Sequence, residues 1–184
     1  MHFRAVAATI GVAVAAQLCA AASQTEVPPK WISGDSTEPE KPAPMLFKEF
    51  ALDVMPAKAV FSVAVAGWCE VFVNGAKVGK DVLSPVACQP DRRISTLDFD
   101  VGSLLKVGTN VVEVLLGNGW QNTFTIDTWG FCDAPWRSCP KICGKLKCDG
   151  RTLFVTDGSW RAFDSPVVFN SLRKSVGTGS GSGR

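Results

Sequence analysis

Tryptophans and short polar side chains crowd one stretch of this sequence, beginning at the run GNGWQN. Indole rings can pack against the C–H faces of a sugar, while amide and carboxylate groups can bind its hydroxyls. The stretch therefore predicts a carbohydrate-binding site with six candidate residues: Asn118, Trp120, Gln121, Asp127, Trp129 and Trp136. The alternative is that these tryptophans fill the edge of the core beneath a long loop, because large aromatic side chains are highly buried on average.

Catalytic chemistry has weaker support in the sequence. Glycoside hydrolysis needs two facing carboxyl groups, but Asp127, Asp133, Asp157 and Asp164 are scattered through predicted loops and turns, where aspartate is common. The only histidine, His2, lies in the leader described next. We therefore predict no histidine-based triad, no catalytic residue, no metal site and no cofactor.

The N-terminus is typical of a secretory signal peptide. Arg4 precedes an apolar run over residues 5–16, and small residues follow at 20–22. The run is shorter than the roughly 20 residues that span a bilayer. We expect cleavage near Ala22 and a secreted or periplasmic protein with no membrane attachment; the alternative is a buried N-terminal helix.

Export favours disulfide bonds among the cysteines. Cys19 lies in the leader, and an even number remains beyond it, as in many exported disulfide proteins. The disulfide candidates are Cys69, Cys88, Cys132, Cys139, Cys143 and Cys148. The sequence does not choose among their fifteen pairings, although crowding of the last four predicts links within that segment. A zinc site is the alternative, but no CxxC pair is present.

Composition narrows the class of protein. The chain has 184 residues, of which 46% are hydrophobic, so it can build one domain with a core. A net charge of +2 argues against nucleic-acid binding, and there is no polybasic cluster for a membrane surface.

The hydrophobic pattern indicates short β-strands. Alternation predicts a half-buried strand at residues 59–66, and the run at 110–116 has β-branched residues on both faces, which is typical of a central strand. Asn74–Gly75 and Asp149–Gly150 predict tight hairpin turns, and Asp100 can cap a short helical turn at 102–105. Further strands are expected at residues 46–52, 71–73, 77–78, 94–100, 142–148, 151–156, 159–163 and 167–170.

These short strands and regular turns predict an all-β sandwich. We divide the chain into a signal peptide (1–22), an extended segment anchored by Trp31 and Ile32 (23–45), the sandwich domain (46–174) and a disordered Gly/Ser tail (175–184).

Several motifs resemble one family of proteins. WIS at Trp31, VFVNGAKVG, FDVGSLLKVGTNVVEVLLGNGW and TDGSWRAFDSPVVFNSLR follow the order seen in the N-terminal β-sandwich domain of bacterial α-L-rhamnosidases of glycoside hydrolase family 78. The resemblance covers residues 31–174. It implies a jelly-roll, galactose-binding-like domain that precedes other β-domains and a helical barrel holding the catalytic carboxylates.

The resemblance also shows departures from the family. Gln121 stands where the family usually has an aromatic residue, clustered cysteines occupy residues 131–143, and the ending SVGTGSGSGR replaces an acidic stretch. That ending predicts a truncation, a frame change or a gene fragment. Because no part of the barrel is present, we expect no catalysis by the chain alone.

Three functions remain open at the level of the sequence. The first is an accessory domain of an α-L-rhamnosidase, partnered by the catalytic and β-domains of the same enzyme. The second is a free-standing secreted module that binds rhamnose-containing glycans or glycosides. The third is a structural or interaction domain without a ligand.

Overall fold

The fold consists of short strands joined by turns and loops. A computed structural model describes residues 26–34, 41–86, 88–124 and 130–168. Two 3₁₀ turns lie at Gly102–Leu104 and Phe131–Asp133, and the described residues contain no α-helix. The strands are β1 Ile32–Ser33, β2 Pro44–Leu52, β3 Ala59–Ala66, β4 Trp68–Val73, β5 Ala76–Lys77, β6 Ser95–Asp100, β7 Gly108–Gly117, β8 Lys141–Cys148, β9 Arg151–Val155 and β10 Arg161–Asp164.

Two antiparallel sheets form a sandwich. Sheet A has the order β1-β8-β3-β6, with β9 also paired to β8. Sheet B has the order β10-β2-β7-β4-β5, so β7 is its central strand. The prediction of an all-β sandwich is confirmed, as is the central place of β7.

The core lies between the two sheets and follows the alternation of the strands. In β3, Phe61, Val63 and Val65 point inward and are almost completely buried. On the facing sheet, Val112 and Val114 of β7 are fully buried. The indole of Trp160 stacks on Phe61 with ring centroids 6.3 Å apart and so packs against the core.

Local turn chemistry matches the sequence closely. Asn74 and Asp149 have φ values of 52° and 49°, the left-handed conformation that hairpin turns of this kind require. The Asn74 side chain also donates to the carbonyl of Leu104 at 2.8 Å and so ties its hairpin to the next turn. Asp100 Oδ1 accepts the N–H of Gly102 at 3.1 Å, in agreement with its predicted capping role.

The N-terminal segment is fastened along the edge of sheet A. The Thr156 hydroxyl donates to the carbonyl of Lys30 at 2.6 Å, and the Lys30 amide donates to the Thr156 carbonyl at 2.8 Å. Ile32 packs against the core, whereas Trp31 is 46% exposed. The predicted anchor is therefore Ile32 alone, because the two side chains point to opposite sides of a strand.

The last predicted strands differ from the structure. β10 begins only at Arg161, because Asp157 caps a turn by accepting the amide of Ser159 at 2.9 Å. The expected strand at 167–170 is wrong for residues 167 and 168, which lie outside any strand; the rest of it lies outside the described residues. The Val167 amide is instead bonded to Ser165 Oγ at 3.2 Å.

Candidate functional site

The site predicted from the sequence begins where β7 ends, in the GNGW run. Gly119 has a φ of +51°, and a Cβ added there would lie 3.2 Å from the indole of Trp68. Only glycine turns the chain this closely beneath that ring. The turn then continues as the Asn122 amide donates to the Asn118 carbonyl at 3.2 Å, which directs the next residues under the loop at 130–140.

Gln121 fastens that loop to the end of β7. Its side chain is only 5% exposed, and Nε2 donates to the carbonyl of Trp136 at 2.9 Å and to Oγ of Ser138 at 3.0 Å. The amide of Ser138 donates back to the Gln121 carbonyl at 3.3 Å. Both hydrogen bonds from the side-chain nitrogen of Gln121 therefore go to acceptors within the protein.

A second connection runs through Arg137. Its Nε donates to Oδ1 of Asn122 at 3.2 Å, and its Nη1 donates to the carbonyl of Cys132 at 2.9 Å. Nδ2 of Asn122 donates to Oδ1 of Asn118 at 3.0 Å. Asn118 and Asn122 are 1% and 3% exposed, so these amides fill a polar layer beneath the loop.

Two of the predicted tryptophans meet through a phenylalanine. Phe131 packs edge-on against Trp120, with centroids 5.7 Å apart, and edge-on against Trp136, with centroids 5.4 Å apart. The three rings are partly buried. The sequence interpretation omitted Phe131, whose position within the loop was the available signal. Asp127 and Trp129 lie outside the described residues, so their predicted role stays a prediction.

A polar cleft opens beside this aromatic cluster. Its volume is ≈ 340 Å³, at the lower end of the range of about 300–1,000 Å³ typical of small-molecule sites. The lining residues are Asn122, Cys132, Asp133, Ala134, Arg137, Ser138 and Cys139. We call it the loop cleft. A separate crevice of only ≈ 30 Å³ is lined by Trp68, Cys88, Trp120 and Gln121, among others.

Of the six predicted sugar-binding residues, the structure brings together Asn118, Trp120, Gln121 and Trp136, but none of these four lines the loop cleft. Asn118 and Gln121 bond to the cleft residues Asn122 and Ser138, and Trp120 and Gln121 line the smaller crevice instead. The sequence interpretation missed Arg137 and Ser138, which line the cleft directly. Their signal was adjacency to Trp136 in a loop, which is too weak to single them out.

The candidate carboxylates are not assembled. Asp133 lines the loop cleft, Asp157 follows β9, and Asp164 ends β10 opposite Pro44. Hydrogen bonds from the Ser159 hydroxyl and amide hold the pKa of Asp157 below its usual value. Among the described residues, no group of three or more His, Cys, Asp or Glu side chains converges on a point that would suit a metal ion.

The six described cysteines are thiols in this structure. Cys69 is 4% exposed, and burial, followed by the charge of Glu70, raises its pKa to about 12. Burial also raises the pKa values of Cys143 and Cys148. These three thiols are therefore poorly reactive.

The outer faces of the two sheets differ in character. On sheet A, the outward residues Val60 and Ser62 of β3 each lie between a lysine of β8 and an aspartate of β6; Ser62, for example, pairs with Lys145 and Asp98. Ala64 lies between Thr96 and Cys143. On sheet B, the outward positions are a mixture of apolar and charged side chains. The charged ones include Glu49, Glu113 and the Glu70–Lys77 ion pair, and Glu113 lies between Phe47 and Phe72. The apolar ones are Met45, Phe47, Phe72, Val111, Leu115 and Phe163. We call these six residues the apolar face.

Registers across sheet B bring these apolar side chains together. Met45 pairs with Leu115 on one side and with Phe163 on the other, and Phe163 is 42% exposed. Arg161 lies over the ring of Phe47, 5.7 Å from its centroid. A cleft of ≈ 400 Å³ runs along β2 at this edge.

No helix within the described ranges is long and apolar enough to cross a membrane.

Comparison with known proteins agrees with this two-sheet architecture. Residues 55–175 match the family described as the Alpha-L-rhamnosidase N-terminal domain, and the chain belongs to that family. It is 31% identical over 115 residues to an α-L-rhamnosidase of Formosa agariphila, covering 58% of this chain but 12% of that protein. A Streptomyces avermitilis α-L-rhamnosidase is 26% identical over 120 residues, which are 11% of its length.

Solved structures give the same result. The α-L-rhamnosidase of Aspergillus terreus superimposes with a TM-score of 0.66 and 26% identity, covering 80% of this chain and 18% of that one. The Streptomyces avermitilis enzyme, solved in complex with L-rhamnose, superimposes with a TM-score of 0.62 and 25% identity, covering 72% of this chain and 13% of that one. The chain thus spans about an eighth of the length of the curated relatives it matches.

Proposed function

We propose that this chain acts as the N-terminal accessory domain of an α-L-rhamnosidase, an enzyme that releases terminal L-rhamnose from rhamnosides, and that the chain alone is not the catalyst. Membership of the N-terminal domain family supports this proposal. So does the scattering of the described carboxylates Asp133, Asp157 and Asp164, since glycoside hydrolysis needs two that face each other.

The observation that carries the proposal is the apolar face of sheet B. An antiparallel sheet that meets water on its outer side alternates between apolar inward and polar outward residues, as sheet A does. In sheet B the outward residues Met45, Phe72 and Leu115 are apolar and only partly buried, although Glu70 and Glu113 stand beside them. A surface of this kind marks an interaction site.

The size of the face suits a contact between domains. With strands about 4.8 Å apart and a rise of about 3.3 Å per residue, the strands of sheet B present about 500 Å². A contact burying that area on both partners reaches about 1,000 Å², within the range of roughly 600–1,500 Å² for interfaces between domains of one chain. We assign this face to the catalytic remainder of the enzyme.

Two measurements on the pure chain test the proposal. The chain should not hydrolyse 4-nitrophenyl α-L-rhamnopyranoside; turnover that persists through purification and disappears on unfolding would refute the accessory role. The apolar face should also make the isolated chain associate with itself as its concentration rises, in sedimentation experiments.

A matched pair of substitutions locates that association. Met45→Glu introduces a charge between Leu115 and Phe163 on sheet B, whereas Ala64→Glu introduces one between Thr96 and Cys143 on sheet A. Met45→Glu should abolish association and Ala64→Glu should leave it unchanged. Equal effects of both changes, or no association at any concentration, would contradict the assignment of the docking face.

A second candidate function, glycan binding, is favoured by the loop cleft. The carboxylate of Asp133 can accept hydrogen bonds from sugar hydroxyls, and the Ser138 hydroxyl can donate or accept them. The Trp120–Phe131–Trp136 cluster lies beside the cleft. Titration with L-rhamnose should then change the tryptophan emission. Asp133→Ala, at an exposed cleft position, should weaken binding, whereas Asp98→Ala on sheet A should not. An emission that is flat throughout the titration would rule out this function.

We also propose that the chain is exported and that residues 1–22 are removed. The three-part pattern of charge, apolar run and small residues supports this; the residues concerned lie outside the described ones. Expression in a bacterial host followed by N-terminal sequencing of the periplasmic or secreted product tests it. A mature protein that still begins at Met1 would contradict it.

A further inference from the structure

Two cysteines of the loop cleft, Cys132 and Cys139, flank one tight turn. The amide of Arg137 donates to the carbonyl of Ala134 at 3.0 Å, so residues 134–137 form a hydrogen-bonded β-turn. Cys132 lies in the 3₁₀ turn Phe131–Asp133, two residues before this β-turn, and Cys139 lies two residues after it. Both side chains line the loop cleft.

Side chains hold the two arms of this loop in place. Nη1 of Arg137 reaches across to the carbonyl of Cys132 at 2.9 Å. Gln121 holds the other arm through the Trp136 carbonyl and the Ser138 hydroxyl. The backbone on both sides of the turn is therefore fixed, and neither cysteine is buried from reagents, since both have intermediate exposure.

We propose that Cys132 and Cys139 form a disulfide bond that closes the loop and fixes the walls of the loop cleft. The oxidant is a low-molecular-weight disulfide such as oxidised glutathione. One protein thiolate attacks it, which forms a mixed disulfide and releases one glutathione thiolate. The second protein thiolate then attacks the protein sulfur of that mixed disulfide and releases the other. The two cysteines are oxidised, the glutathione disulfide is reduced, and the two protons of the cysteines pass to solvent or to the released thiolates.

The remaining cysteines fit less well as partners. Cys69 lies in the core, where its exposure is 4%. Cys143 and Cys148 are five residues apart on β8, so their side chains lie on opposite sides of the strand and about 17 Å apart along it. Because a disulfide needs Cα atoms within about 7 Å, these two cysteines do not pair with each other. Cys88 lines a different crevice from Cys132 and Cys139.

Tryptic digestion reads this pairing directly, because each of the six cysteines falls in a different tryptic peptide. Trypsin cleaves after Arg137, between the two partners. The folded chain is equilibrated in a glutathione buffer and then unfolded in acid and urea, so that every free thiol, including buried Cys69, can be blocked before digestion without reduction. We expect peptides 107–137 and 138–141 to remain joined and to separate on reduction, while Cys69, Cys88, Cys143 and Cys148 carry the blocking group.

Variants of single cysteines complete the test. Cys132→Ser should remove the linked pair and leave Cys139 blocked or joined to glutathione, whereas Cys143→Ser should leave the linked pair unchanged. Blocking of both Cys132 and Cys139 in the wild-type chain under oxidising buffer would overturn the proposal. A link between peptides 81–92 and 138–141 would also overturn it, because Cys139 would then be paired with Cys88. The wild-type map is decisive even if a variant fails to fold.

Discussion

Replacing Gln121 distinguishes its observed role from the one that its sequence context predicts. In the structure, Nε2 donates to the Trp136 carbonyl and the Ser138 hydroxyl while the side chain is 5% exposed. Gln121→Ala removes both hydrogen bonds. Gln121→Glu keeps the shape of the side chain but replaces the donating nitrogen by an oxygen that cannot donate when ionised.

The magnitude follows from the two lost bonds. Each intramolecular hydrogen bond contributes about 1 kcal/mol net, and the half-buried acceptors at Trp136 and Ser138 add no large penalty. We therefore expect Gln121→Ala to lower the free energy of unfolding by about 2 kcal/mol. With a urea slope of about 2 kcal/mol per molar, the midpoint falls by about 1 M. Gln121→Glu should cost at least as much, because its charge would face the Trp136 carbonyl.

Urea unfolding followed by tryptophan fluorescence measures this loss, and Gln89→Ala in an exposed turn provides the matched control. A midpoint for Gln121→Ala within error of the wild type would refute the hydrogen bonds as we describe them. If stability were unchanged while L-rhamnose binding disappeared, Gln121 would instead be a sugar ligand, as the sequence alone predicts.

Three further changes have defined outcomes. The pKa of Glu26 is lowered to about 2, chiefly by its hydrogen bond with Lys145. A carboxyl group whose pKa is lower in the folded state stabilises the fold at pH values above its unfolded pKa. The urea midpoint of the wild type should therefore exceed that of Glu26→Gln at pH 7, and the difference should close as the pH falls from about 4.5 towards 2. Gly119→Ala should lower the free energy of unfolding by about 1–2 kcal/mol, because its φ is left-handed and its Cβ would meet Trp68; thermal unfolding without any loss would contradict the close contact. Thr156→Val should lower the free energy of unfolding by about 2 kcal/mol, because it removes the hydroxyl bonds to the β8 backbone and to the N-terminal segment. Thr156→Ser keeps the hydroxyl and should keep most of that stability. Equal urea midpoints for the two variants would show that the hydroxyl contributes nothing.

Short-range signals predicted most of the fold. The alternation in β3 and the Asn74–Gly75 and Asp149–Gly150 turns depend on neighbouring residues alone, and the structure confirms each of them. The strand predicted at 167–170 was wrong at Val167 because its amide bonds to Ser165 and its carbonyl to the distant Ala43. Alternation cannot detect that competition.

The candidate site was harder to predict because its partners are distant in the sequence. The acceptors of Gln121 lie 15 and 17 residues away. The sequence therefore shows an amide beside a tryptophan, which suits a sugar, but does not show that a backbone carbonyl already occupies that amide. The sequence likewise predicted the apolar face only in part. β-Branched residues on both sides of β7 predicted a central strand, and that is confirmed, but its outer side is not covered by any described strand.

The most direct test of the central claim places this domain in a whole enzyme. The corresponding N-terminal domain of the Streptomyces avermitilis α-L-rhamnosidase, which superimposes with a TM-score of 0.62, is replaced by residues 26–168 of this chain. Hydrolysis of 4-nitrophenyl α-L-rhamnopyranoside is then measured for the chimera and for its Met45→Glu and Ala64→Glu variants. Our account predicts an active chimera that loses activity or stability with Met45→Glu and keeps both with Ala64→Glu. An active chimera indifferent to Met45→Glu, or one equally damaged by Ala64→Glu, would contradict docking through the apolar face.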